Sequence, residues 1–396
     1  MARDRGGEDS TDGFDALDAL VAPEGQEVLA ALARTGVTPE SEPALAARLR
    51  RAHPAELVIA ALAQHELRVR ARAKFTRADR MFFTRDGLEQ ASAERIARHR
   101  ATRFAGAGRV ADLCCGIGGD LAALAAASAV HAVDRDPLHL RMARLNAAAY
   151  GVDDAVDTEC ADVRDADLHG VDAVFVDPAR RADGRRRRAG DSEPPLSWCT
   201  ALADRVAAVA VKASPAVPRE VVPRGWELEF VADGRELKEA TLWSPAFAAT
   251  SARATLLPGG DVLLPVPGEP VQVREPGAYL LDPNPAVTRA GLVADLARLL
   301  GAWQVDPSIA FLSTDAPVRT PFARTLRVLD STPWRQKELR TRLRALDVGS
   351  VDVRRRGLAG DVEAVRRGLR LTGSRRATLV MTRVADRPWA LVCVDA

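Results

Sequence analysis

The sequence predicts an α/β fold: an open, largely parallel sheet preceded by a helical N-terminal domain and followed by a small α+β domain. Two observations carry this. Between residues 107 and 260, short apolar runs ending in an acid alternate with Ala/Leu-rich stretches, the pattern of parallel strands joined by crossover helices. From Phe14 to about His99, apolar residues instead recur at three- and four-residue steps with few β-branched runs, the pattern of packed helices.

In chain order, residues 1–12 are polar and Gly-rich and are expected to be disordered. Residues 13–106 form the helical domain. Leu45, Leu49 and Ala52, then Leu57, Ala60, Ala61 and His65, mark successive apolar faces, and Thr38-Pro39 and His53-Pro54 mark helix starts. Residues 107–260 form the α/β core. Its first strand, Val110 to Asp112, runs into Leu113-Cys-Cys-Gly-Ile-Gly-Gly-Asp120, and the second is Val130-His-Ala-Val-Asp134. A third ends at Glu159-Cys-Ala-Asp162, and the fourth, Ala173-Val-Phe-Val, ends at Asp177-Pro178. Further strands are expected at 206–212, 226–231 and 252–257. The Pro/Gly-rich stretch 261–284 reads as a linker. Residues 285–396 form the α+β domain, helical over 285–300, with strands near Val351–Val353, Ala377–Arg383 and Trp389–Val394.

Composition excludes some classes of protein and leaves others open. A chain of 396 residues implies two or three domains at roughly 100–200 residues each, and its 47% apolar content suffices for buried cores. A net charge of +2 supports no global argument for nucleic acid or membrane. The N-terminus has no apolar core, so no signal peptide is expected, and no run approaches the roughly 18 apolar residues of a membrane helix. The five cysteines show no C-x-x-C spacing, so neither a disulfide framework nor a metal site is expected, and a reducing cytoplasm fits best.

Glycines cluster where backbone must turn with φ > 0 or approach a ligand closely, so Gly116, Gly118 and Gly119 read as a cofactor loop. A nicotinamide fingerprint fails, because its third glycine position falls on Leu121 and no catalytic His or Tyr-Lys set is evident. Asp112, Asp134, Asp162 and Asp177 stand at four successive strand ends. Any one of them could be a turn or cap residue, but four in register at βα spacing point to one cleft at the carboxyl edge of the sheet.

This pattern resembles the class I S-adenosylmethionine-dependent methyltransferases, whose core is a Rossmann-like sheet. Arg85 to Arg100, Ala111 to Asp120 and Val133 to Gly151 in succession resemble the catalytic domain of trimethylguanosine synthase, an RNA-cap guanine N2-methyltransferase. With its C-terminal unit, the whole chain resembles the bacterial class I methyltransferases that carry a THUMP-like domain. The resemblance implies S-adenosylmethionine as cofactor and RNA as partner. It assigns Asp112, Gly116 and Gly118 to the methionine moiety, Asp134 to the ribose and Asp162 to the adenine, with Cys114, Gly119, Arg135 and Ala161 also binding the cofactor. Gln90 and Ser92 would close over the cofactor, or serve only as cap and surface residues. Asp177, Pro178 and Arg180 face the methyl acceptor as catalytic residues, with Asp177 and the Pro178 carbonyl accepting hydrogen bonds from an acceptor N–H.

One departure stands out. Amino-directed relatives carry an aromatic ring after the two prolines, whereas this chain reads Asp177-Pro178-Ala179-Arg180, leaving an Arg plane to stack on a base or meet phosphate. Arg181, Lys212 and Lys238 are candidate substrate contacts, the lysines because Lys is rare here. Arg185 to Arg188, the segment Arg335 to Arg344 and the run Arg354 to Arg356 read either as phosphate-tracking surfaces or as solvated faces. The expected activity is N-methylation of a base in RNA. The alternatives are a small-molecule or protein methyltransferase on the same core, or a catalytically silent RNA-binding protein.

Overall fold

The computed structural model describes residues 6–180 and 192–396, which form two compact units: Met1–Ala213 with Trp243–Phe247, and Ser214–Leu242 with Ala248–Ala396. The first unit opens with the helices α1 (Gly6–Val21), α2 (Pro23–Thr35), α3 (Glu42–Leu49), α4 (Ala55–Ala71), α5 (Arg85–Gln90) and α6 (Glu94–Ala101). Leu17, Leu20, Val28, Leu32, Leu45, Leu49, Leu57 and Ala61 bury together, as the periodicity predicts. A Cβ on Gly25 would stand 2.1 Å from the Ala19 carbonyl oxygen, so α1 and α2 meet at this glycine. The expected disordered tail is corrected in part. Residues 1–5 lie outside the described residues, but α1 already runs from Gly6, with Leu17 and Leu20 burying its C-terminal half.

The core of this unit is a parallel sheet. It holds β1 (Arg109–Leu113), β2 (Ala129–Asp134), β3 (Val156–Cys160), β4 (Ala173–Val176) and β7 (Ala208–Ala213), side by side in the order β3-β2-β1-β4-β7. A short antiparallel pair, β5 (Ala179–Arg180) with β6 (Ser192–Glu193), follows β4. Helices α7 (Leu121–Ala125), α8 (Pro137–Tyr150) and α9 (Leu196–Ala201) connect the strands. Pro137 opens α8 while the Asp136 carboxylate accepts from the Leu138 and His139 N–H groups at 2.9 and 3.2 Å, which fixes where β2 ends and the helix begins. Trp243 and Phe247 belong to this unit because their rings lie 5.9 and 5.1 Å from Phe104, which in turn meets the sheet residue Phe175 at 6.5 Å.

The second unit contains β8 (Glu227–Asp233), most of β9 (Glu236–Trp243), β10 (Ala252–Leu257) and β11 (Asp261–Leu263). The strands expected at 226–231 and 252–257 form as β8 and β10, parallel to each other. Beyond them lie β12 (Tyr279–Pro283), α10 (Pro285–Arg289), α11 (Val293–Leu300), β13 (Trp303–Gln304), β14 (Leu312–Thr314), β15 (Ala323–Pro333), α12 (Gln336–Ala345), β16 (Val348–Arg355), α13 (Val362–Leu369), β17 (Arg375–Val384) and β18 (Arg387–Asp395). β12 to β18 form one sheet in the order β13-β14-β12-β15-β18-β17-β16, antiparallel except for β16 with β17. Leu339, Leu343 and Leu369 bury the two helices against it. The span 261–284 is not a plain linker. Leu280 and Leu281 are fully buried in β12, which pairs with both β14 and β15, and β11 pairs with β10, so apolar burial at its ends overrides its Pro/Gly composition.

Candidate functional site

The carboxyl ends of β1, β2, β4 and β7 gather most of the predicted residues. After Leu113 the chain turns through Cys114 at φ 60, and the Cys114 and Cys115 N–H groups both donate to the Val133 carbonyl, at 2.9 and 3.2 Å. Burial pushes both thiols well above the ordinary range, so neither serves as a thiolate here. Gly116, at φ 53, has open space where a Cβ would stand, and its N–H donates to Asp134 Oδ2 at 2.8 Å. Gly118, at φ 82, lies against α8, where a Cβ would meet the Ala143 backbone at 3.1 Å. At Gly119 a Cβ would meet Ala91 and the Ser92 backbone nitrogen at 3.1 and 3.2 Å, so the segment after α5 closes directly over the loop. Three glycines serve three different demands.

Asp134 holds the second strand end. Its Oδ1 accepts from the Asp136 N–H at 2.9 Å, and its backbone carbonyl accepts from the Ala161 N–H at 3.2 Å, placing Ala161 beside it. Asp162 accepts from the Arg164 N–H at 2.9 Å and pairs with its guanidinium at 3.0 Å; Arg164 also pairs with Glu193 on β6, tying this loop to the β5–β6 pair. Asp112 is buried, and its Oδ2 has no hydrogen-bond partner among the described residues. Burial, reinforced by the nearby Asp177 charge, pushes its carboxyl up to about 8.

The ends of β4 and β7 hold an ion-paired cluster. Lys212 Nζ, at the end of β7, donates to Asp177 Oδ2 at 2.6 Å and to Ser92 Oγ at 3.0 Å. Ser92 is therefore a buried partner of Lys212, and Lys212 is a partner of Asp177. Pro178 is buried beside it. Gln90 is exposed at the end of α5. Lys238 is not brought into this cluster: it lies on β9 in the second unit and pairs with Glu236 at 2.7 Å. Arg180 lies on β5, opposite Ser192, whereas Arg181 and Arg185 to Arg188 lie outside the described residues.

Sequence reasoning missed Arg100. It is buried, pairs with Asp120 just after the glycines, and sits 4.6 Å over the Phe175 ring. It also lowers the Asp112 carboxyl, making it the fixed cation beneath the loop. Asp120, quoted in the glycine motif, was the available signal; among so many arginines, Arg100 itself gave none.

Two curated Mycobacterium tuberculosis proteins, from two strains, each named an uncharacterized S-adenosylmethionine-dependent methyltransferase, are 42% identical to this chain over 316 residues, covering 76% of it and 84% of their own length. The chain belongs to this methyltransferase family. Within the methyltransferase, the family model described as RNA cap guanine-N2 methyltransferase matches residues 107–199, and that described as THUMP domain-like matches residues 323–394. A domain of unknown function matches residues 12–71. A crystal structure from Porphyromonas gingivalis described as a methyltransferase aligns over 100% of the chain and 99% of its own, with a TM-score of 0.73 at 20% identity, which shows the shared fold.

The enzyme depends on S-adenosylmethionine, and the residues present fit that group. Asp112 Oδ2 is an orphaned buried acceptor that suits an ammonium, and Gly116 offers bare backbone beside open space. Among the described residues no helix is long and apolar enough to cross a membrane.

Proposed function

We propose that this methyltransferase N-methylates a base in RNA, with residues 107–260 as its catalytic domain and 285–396 as its RNA-binding domain. The observation that carries the reading is the Asp177 carboxylate, at the end of β4 beside Pro178, held at 2.6 Å by Lys212 from β7. The match of residues 107–199 to a guanine-N2 methyltransferase model and of 323–394 to a THUMP-like model supports an RNA acceptor.

The bound cofactor supplies a methyl group already activated on a sulfonium, so the protein needs to supply orientation rather than a nucleophile. Asp112, with the Gly116 to Gly119 backbone and Cys114, would hold the methionine end. Asp134 would take the ribose: each of its oxygens accepts one backbone N–H and keeps a lone pair for a hydroxyl. Ala161 and Asp162 would flank the adenine, and Ser92 and Gln90 would close above. Lys212 occupies Asp177 Oδ2 and leaves Oδ1 to accept from the substrate N–H, alongside the Pro178 carbonyl, whose direction the proline ring restricts. These acceptors aim the nitrogen lone pair and stabilise the positive charge that develops on it. Arg180, with Arg181, would meet the base or its phosphate. Five free cysteines support a cytoplasmic location.

Incubating the enzyme with labelled cofactor and, separately, total RNA, protein extract and metabolites tests the substrate class. Label is expected in the RNA fraction and should vanish on nuclease treatment; label only in the other fractions would overturn the RNA reading. Asp177→Ala is expected to abolish transfer while leaving cofactor affinity within a few fold, and full activity in that variant would remove Asp177 from the chemistry.

A further inference from the structure

The second unit holds a cavity that the chemistry above does not use. α13 joins the parallel strands β16 and β17, and a cavity of about 520 Å³ opens between the first half of β16 and the C-terminal half of α13. Its charged lining is Arg366, Arg367, Arg370 and Arg376 against one acid, Asp352. Arg376 pairs with Asp352 at 2.7 Å. Arg366 pairs with Glu363 at 3.3 Å and donates to the Val351 carbonyl at 3.1 Å. Those two arginines are structural. Arg367 and Arg370 are exposed and have no ion-pair or hydrogen-bond partner among the described residues. The helix C-terminus contributes only about half a negative charge, too little to answer two guanidinium groups.

The backbone around the cavity is built for close approach. A Cβ on Gly349 would stand 1.7 Å from the Gly373 carbonyl oxygen, so the starts of β16 and β17 meet backbone to backbone. Arg370 ends α13 at φ 46, a left-handed position that glycine usually fills. Its left-handed backbone places the Arg370 side chain at the edge of the cavity, which it lines.

We propose that this cavity is a phosphate site, occupied by a backbone phosphate of the RNA acceptor; the identity of the occupant rests on the reading above. Guanidinium forks match phosphate oxygens bidentately, and two of them stand open here. The volume falls within the roughly 300–1,000 Å³ of small-ligand sites, enough for a phosphate with its adjoining sugar.

The test is anisotropy of a labelled single-stranded RNA of mixed sequence, titrated with the full chain and with its Arg367→Ala/Arg370→Gly variant between about 50 and 200 mM salt. Arg370→Gly relieves the left-handed strain, so the variant is expected to melt no lower than the wild type. Two lost phosphate contacts should reduce the log–log salt slope by about 1.4 and weaken binding about tenfold at the low-salt end. If RNA binds both proteins equally and with the same slope, the site is overturned and the RNA reading stands. If RNA binds neither, but inorganic pyrophosphate raises the melting temperature of the wild type alone, the phosphate site holds and the RNA reading falls. No response of the wild type to either probe overturns both.

Discussion

Replacing Lys212 with methionine keeps most of the side-chain volume and removes the only ammonium that meets Asp177 among the described residues. At 2.6 Å, and with side chains only 14% and 27% exposed, the gross attraction is about 6 kcal/mol at an effective dielectric of ~20. Desolvation and side-chain ordering offset most of it, leaving about 2–3 kcal/mol in the orientation of Asp177. Lost from the transition state, that corresponds to about a 30- to 150-fold fall in kcat at saturating cofactor. A second readout separates this from loose packing. Lys212 is one of the groups that lower the Asp112 carboxyl, which burial already pushes up to about 8. Removing the cation raises it further, so cofactor affinity in Lys212→Met should recover only at higher pH than in the wild type. Steady-state kinetics on the RNA fraction and calorimetry with S-adenosylhomocysteine from pH 6 to 9 check both. An unchanged kcat, or a binding profile that superimposes on the wild type, would refute the coupling of these three residues.

The remaining predictions concern the cofactor loop. Asp112 has a folded-state carboxyl well above its usual 3.8, so the native state binds more protons than the unfolded chain through that interval, and stability falls as pH rises from about 4 towards 8. Thermal melts of the ligand-free protein should show this slope, and Asp112→Asn should flatten it while removing S-adenosylhomocysteine binding. Gly118→Ala must hold a left-handed backbone and press on Ala143; a loss of about 1–2 kcal/mol, seen as a drop of several degrees in Tm and weaker cofactor binding, is expected by calorimetry. Trp243→Ala removes a fully buried ring from the Phe104 cluster and should cost about 3–5 kcal/mol in chemical denaturation of the first unit.

Local order was readable wherever a short-range rule determined it. The strands carrying Asp112, Asp134 and Asp177 at or just past their carboxyl ends announce themselves because buried parallel strands are continuous apolar runs, and the glycines follow where the backbone must turn. Lys212 was singled out by its rarity, although its partners Asp177 and Ser92 were not identifiable: they are 35 and 120 residues away along the chain. β15 went unread because its apolar residues Ala323, Leu326, Val328 and Leu329 keep no two-residue period, and only pairing with β12 and β18 makes an eleven-residue strand of them. The run Arg354 to Arg356 read as one basic patch, yet Arg356 pairs with Asp282 at 3.2 Å and lies over the Phe311 ring.

The sequence by itself determined the parallel core, its glycine turn and the row of carboxylates, because helix and strand periods and φ preferences act within a few residues. Only the tertiary structure decided which charges are answered: that Arg100 lies beneath the glycine loop, that Lys212 holds Asp177, that Lys238 does neither, and that Arg367 and Arg370 remain open. Charge pairing acts over a few ångströms of space regardless of separation along the chain, and in a sequence rich in arginine no local pattern distinguishes a paired guanidinium from a free one.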